Sequence, residues 1–106
     1  IMVNKTDEII DFINKNYMRQ ITLEEIAKNS FVSVNKLCYL FKTHLYTTVN
    51  KYLTSTRITQ AKMLLHQGKS VTETAYSCGF NDYAHFIRTF KSLVGISPGK
   101  YKNDSE

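Results

Sequence analysis

Apolar residues recur along this chain at three- and four-residue intervals, and no segment alternates convincingly. That period predicts helices and argues against strands. The first helix is expected over about Asp7–Tyr17, with Ile9, Ile10, Ile13 and Tyr17 along one face. A second, about Leu23–Asn29, opens on Thr22 with Glu25 three residues on, the spacing of a capping box. The third, about Val34–Leu45, is capped by Ser33 and buries Leu37, Leu40 and Phe41. A long fourth, about Val49–Gln67, carries Tyr52, Leu53, Ile58, Ala61, Leu64 and Leu65 and stops at Gly68. Ser70 with Glu73 opens a fifth over about Val71–Ser77, which ends at Gly79. Asp82 caps a sixth, about Tyr83–Val94, that buries Phe86 and Phe90. Ser97 at the cap and Pro98 at the first helical position start a short seventh. The expected fold is all-α.

Superimposed on the helical period is a repeat. A shift of 49 brings Phe31 onto Phe80, Ser33 onto Asp82, Leu37 onto Phe86 and Phe41 onto Phe90. The same shift brings Lys42 onto Lys91, Thr48 onto Ser97, Lys51 onto Lys100 and Tyr52 onto Tyr101. Upstream of the turn the shift is 48, bringing Thr22 onto Ser70, Glu25 onto Glu73 and Ala27 onto Ala75. One extra residue therefore lies in the second turn.

Each repeat describes a short helix, a tight turn and a longer helix. Ala27 and Ala75 stand where the two helices must approach closely, and Phe31 and Phe80 are expected to plug the turn from inside. Leu37 with Phe41, and Phe86 with Phe90, anchor the inner face of the longer helix. Its outer face is left free. In the first unit that face carries Val34, Asn35, Cys38, Tyr39 and Lys42, and in the second Tyr83, Ala84, Ile87, Arg88 and Lys91. Asn pairs with adenine edges, Arg with guanine, and small apolar groups meet the thymine methyl. The helix joining the units would be 19 residues long, roughly 28 Å. Successive major grooves on one face of a duplex lie about 34–36 Å apart, so such a rod suits two recognition helices on one DNA.

Charge points the same way. The 106 residues carry 14 Lys and Arg against 9 Asp and Glu. Between Ile26 and Asn103 there are eleven basic residues, and Glu73 and Asp82 are the only acids. A basic body of this kind implies a polyanionic partner. Cys38 and Cys78 have neither a CxxC spacing nor a nearby His, so no disulfide framework, metal site or cofactor is expected. His44, His66 and His85 have no mutual spacing for metal or general-base work. No nucleophile–base pair or phosphate-binding glycine loop is present, so the chain does not read as an enzyme. No apolar run reaches membrane-spanning length and no signal peptide opens the chain, which fits a cytosolic protein. Its opening Ile1 suggests a segment of something longer.

The run Gly79-Phe80-Asn81-Asp82, Phe86, Phe90-Lys91, Gly95, Ser97-Pro98, Tyr101-Lys102 resembles the signature of the AraC/XylS transcriptional regulators. Upstream, Ser33, Leu37, Phe41-Lys42, Tyr52-Leu53, Arg57-Ile58, Ala61 and Leu64-Leu65 are similar to the rest of that domain. The likeness covers about Asp7 to Lys102. It implies one DNA-binding domain over 1–106, with lobes at 7–45 and 68–102, a linker helix at 46–67 and a tail at 103–106. It further implies a bacterial, cytoplasmic regulator, commonly an activator, that binds double-stranded promoter DNA and works with RNA polymerase. The parent protein would carry a separate N-terminal effector or dimerisation domain. Carried across, base-reading roles fall on Asn35, Tyr39, Tyr83, Ala84 and Arg88. Backbone-positioning roles fall on Lys42, Thr48, Lys91, Ser97 and Lys100.

Two residues depart from the family pattern. Tyr46 stands where Gly usually ends the first recognition helix, and Thr74 replaces an aliphatic. One alternative is an accessory module of a DNA-repair alkyltransferase-type enzyme, and another is a helical protein-interaction module.

Overall fold

The computed structural model describes residues 4–105; Ile1, Met2, Val3 and Glu106, the last residue of the expected tail, lie outside it. Seven helices and no strand occur among the described residues. They are α1 (Lys5–Asn16), α2 (Leu23–Asn29), α3 (Val34–Leu45), α4 (Val49–His66), α5 (Val71–Ser77), α6 (Tyr83–Val94) and α7 (Pro98–Ser105). The chain divides into two compact units, one running to Thr54 and the other beginning at Ser55, so the division falls inside α4.

Local chemistry places the helix starts. A side-chain oxygen one residue before each helix accepts the backbone N–H three positions on. The distances are 2.9 Å for Asn4 and Asp7, 3.0 Å for Thr22 and Glu25, 3.0 Å for Ser33 and Lys36, and 3.1 Å for Thr48 and Lys51. They are 3.1 Å for Ser70 and Glu73, 3.3 Å for Asp82 and His85, and 3.2 Å for Ser97 and Lys100. Each cap is worth about 1 kcal/mol. Asn4 explains why α1 begins two residues ahead of the sequence expectation. The capping box at Thr22 also holds an exposed ion pair between Arg19 and Glu25. Arg19, and then the Thr22 backbone, keep the Glu25 carboxyl below its ordinary range.

In the first unit Ile9 and Ile13 of α1, Ile26 and Ala27 of α2, and Leu37, Leu40 and Phe41 of α3 share one buried core with Val49 and Leu53 of α4. In the second, Ile58, Ala61 and Leu65 of α4 bury with Ala75, Cys78, Phe80, Phe86 and Phe90. The repeat extends to ring geometry. Phe41 meets Tyr52 edge-on at 5.5 Å, and their counterparts Phe90 and Tyr101 do the same at 5.5 Å. Thus α7 repeats the opening turns of α4.

One expectation fails. Phe80 is buried, whereas Phe31 does not plug its turn: it is 89% exposed, with Lys5 Nζ lying 5.9 Å from its ring centre. The backbone explains the difference. Val32 N–H donates to Ala27 O (3.0 Å) just as Phe80 N–H donates to Ala75 O (3.1 Å). The shift of 48 therefore persists through Val32 and Phe80, and the extra residue of the second turn is Asn81. Phe31 is consequently the counterpart of Gly79, and both are left-handed, with φ of 58° and 96°. Val32 packs on the core in its place.

Candidate nucleic-acid interface

Both longer helices are amphipathic about buried anchors. Leu37 and Phe41 on α3, and Phe86 and Phe90 on α6, have no exposed surface. Helical spacing then leaves the opposite face in solvent. Asn35, Tyr39 and Lys42 are exposed on α3, and Tyr83, Ala84, Arg88 and Lys91 on α6. Tyr39 is 58% and Tyr83 40% exposed, far more than packing would leave to a core tyrosine. Val34 and Ile87, expected on the free face, are instead half-buried and pack against the two cores. Each lies at the edge of the apolar stripe, so its branched side chain turns inward.

Neither outer face carries an acid. Asp82, the acid nearest to α6, accepts the His85 N–H as its cap. Thr48 and Ser97, equivalent under the repeat, cap α4 and α7 through their hydroxyl oxygens as acceptors, which leaves each O–H able to donate. Lys51 and Lys100 are exposed one turn further on, so each unit offers two lysines beside a helix start. Two further lysines lie beside these residues without having been singled out in the sequence. Lys36 sits 5.3 Å from the centre of the Tyr39 ring, and Lys51 lines a groove with Lys42. The pairing of Lys51 with Lys100 in the repeat was the available signal for the second.

Away from these faces, Arg57 of α4 is half-buried, and burial lowers its pKa. Burial pushes the Cys78 thiol up to about 11, with the Arg57 charge opposing. Cys38 is exposed on the outer face of α3. His44, His66 and His85 are exposed, and no metal-binding group of three His, Cys, Asp or Glu occurs among the described residues. No helix among them is long and apolar enough to cross a membrane.

Short helix, left-handed turn, longer helix with a buried anchor pair and a basic outer face: built twice, these features define a double helix-turn-helix domain. The family pattern for a "Helix-turn-helix domain" matches residues 26–104. The chain belongs to that family, in its AraC-type branch of DNA-binding domains from transcriptional regulators. It is 34% identical over 103 residues to the uncharacterized HTH-type transcriptional regulator YdeC of Bacillus subtilis, covering 96% of this chain and 35% of that protein. It is 32% identical over 95 residues to the lactose operon transcription activator of Staphylococcus xylosus, covering 89% and 34% respectively. The chain therefore spans about a third of these relatives. An AraC-type transcriptional regulator structure from Chromobacterium violaceum superposes with a TM-score of 0.90 at 29% identity, over 95% of this chain and 91% of that one. The relatives give no support to an accessory module of an alkyltransferase-type enzyme.

Proposed function

We propose that the two units read one stretch of double-stranded promoter DNA, with α3 and α6 in successive major grooves. The carrying observation is the duplicated outer face. Asn35, Tyr39 and Lys42 are exposed on α3, and Tyr83, Ala84, Arg88 and Lys91 on α6, each set opposite a buried anchor pair. The shared helix α4 favours one duplex over two. It supplies Val49 and Leu53 to one core and Ile58, Ala61 and Leu65 to the other without a break. Its 18 residues are roughly 27 Å long, on the scale of the groove repeat.

In this reading Asn35, Tyr39, Tyr83, Ala84 and Arg88 meet base edges. Lys42, Lys91 and Lys100, with the capped helix starts at Thr48 and Ser97, hold phosphates. The lactose operon activator among the relatives makes activation the favoured outcome. On that basis we read the parent as a cytoplasmic bacterial activator that works with RNA polymerase and carries an N-terminal effector or dimerisation domain, a reading supported by relatives about three times the length of this chain. The domain is assigned no catalytic role.

The test is to select bound duplexes from a random pool with the purified domain, then repeat with Arg88→Ala and Lys91→Ala. Arg88→Ala should relax preference at one position and cost about 1–3 kcal/mol there. Lys91→Ala should weaken all sequences alike and lower the salt slope by about one. Loss of affinity in both variants with no change in base preference would contradict the assignment of α6.

A further inference from the structure

Between the end of α3 and the start of α4 lies an open groove of about 470 Å³. Lys42 and Lys51 bring two ammonium groups to it, Thr48 a hydroxyl, and Cys38, Val49 and Tyr46 an apolar wall. No acid lines it. Cys38 and Lys42 also belong to the outer face of α3, so the groove continues the surface proposed to read bases.

Tyr46 is the unusual member. It ends α3 in the left-handed conformation, φ 55° and ψ 35°, with 89% of its surface exposed. Its counterpart Gly95 ends α6 with φ 98°, and an added Cβ there would meet nothing within 4 Å. Space therefore does not dictate which residue ends the helix. The first unit holds a large ring in water, in a backbone state that disfavours it, beside a groove with two lysines.

We propose that Tyr46 is a DNA-contacting residue, its ring covering a deoxyribose of the strand whose phosphate is held in this groove by Lys42 and Lys51. The groove's chemistry matches that occupant: cations and a hydroxyl meet an anion, and an apolar ring meets the apolar face of a sugar. This contact rests on the proposed reading of DNA by α3. It gives the first unit a grip on the backbone that Gly95 denies the second. Being on a sugar, it favours no base and acts on every sequence.

Three proteins test this: the wild-type domain, Tyr46→Gly, which reproduces the second unit, and Tyr46→Phe. Each is titrated with a duplex selected by the wild type and with one of scrambled sequence, and the selected complex is probed by hydroxyl radicals. Tyr46→Gly should bind both duplexes about fivefold more weakly, the loss expected for one well-packed aromatic contact. It should also expose one or two deoxyriboses that the wild type protects, without a lower melting temperature. Tyr46→Phe should behave as the wild type. If glycine loosens the fold, Tyr46→Asn tolerates the left-handed state and serves instead. Unchanged affinity and unchanged protection in Tyr46→Gly overturn the proposal. A Tyr46→Phe variant as weak as glycine overturns the role of the ring. A wild-type domain that selects no duplex from a random pool overturns the DNA reading itself.

Discussion

Two left-handed turns correspond between the units: Phe31 and Tyr46 carry the chain through them in the first, Gly79 and Gly95 in the second, where Gly68 after α4 adds a third. The hydrogen bonds around the two inner turns correspond, and so do the aromatic contacts that tie the outer turns down. Yet glycine adopts such a conformation freely, whereas other residues pay roughly 1–2 kcal/mol. The cores differ in a complementary way. The second unit is built on a chain of rings, Phe80 to Phe86 at 5.1 Å, Phe86 to Phe90 at 5.7 Å and Phe90 to Tyr101 at 5.5 Å. The first relies on aliphatic packing against α1, with Phe41 as its one fully buried ring. One backbone plan thus tolerates two solutions, an easy glycine turn and a strained turn that leaves an aromatic ring exposed.

The largest expected effect tests whether the two cores are equivalent where the repeat says they are. Phe41→Ala and Phe90→Ala should each cost about 3–5 kcal/mol in urea unfolding, because both rings are fully buried. A cost near zero for either would break the equivalence. Next come the turns. Gly95→Ala should destabilise by about 1 kcal/mol through its left-handed φ alone, since no neighbour obstructs the new Cβ. Phe31→Gly should be neutral or stabilising by up to about 1 kcal/mol, strain relief set against the entropy of glycine. A large loss there would mean that the Phe31 ring holds its unit together.

An effect of similar size and opposite sign to that at Gly95 concerns Thr74, the counterpart of Ile26. It is fully buried, and its hydroxyl has no hydrogen-bond partner. Thr74→Val should raise the stability of the second unit by about 1 kcal/mol, seen as a higher urea midpoint. The thiols give the last contrast. Cys38 should react promptly with a disulfide reagent, and Cys78 only after unfolding. Because burial raises the Cys78 pKa to about 11, its contribution to stability is complete below the ordinary thiol range near 9. It should be lost as pH climbs from there towards 11, a slope that Cys78→Ala removes.

The helices and most of their caps were legible in the sequence, because capping side chains and a 3.6-residue period are local signals. The start of α1 was set late because Asn4 lies outside the apolar pattern. The place of Phe31 was misread for a different reason. An inserted residue leaves the periodicity of both flanking helices intact, and only the hydrogen bonds of Val32 and Phe80 locate it at Asn81. For Tyr46, the position where glycine was expected announced the left-handed conformation in advance. Exposure of Asn35, Tyr39, Tyr83, Ala84 and Arg88 followed from spacing. The inward turn of Val34 and Ile87 did not, since a residue at the edge of a stripe is decided by packing.

The most direct test is a spacing experiment on a selected duplex, with the contacts of each unit mapped by footprinting. Inserting about five base pairs between the two footprints turns one major groove to the far side of the DNA, half a helical turn. Binding should then fall to the level of one unit alone. Unchanged affinity and two intact footprints on the lengthened duplex would contradict the reading of one DNA by two units joined through α4.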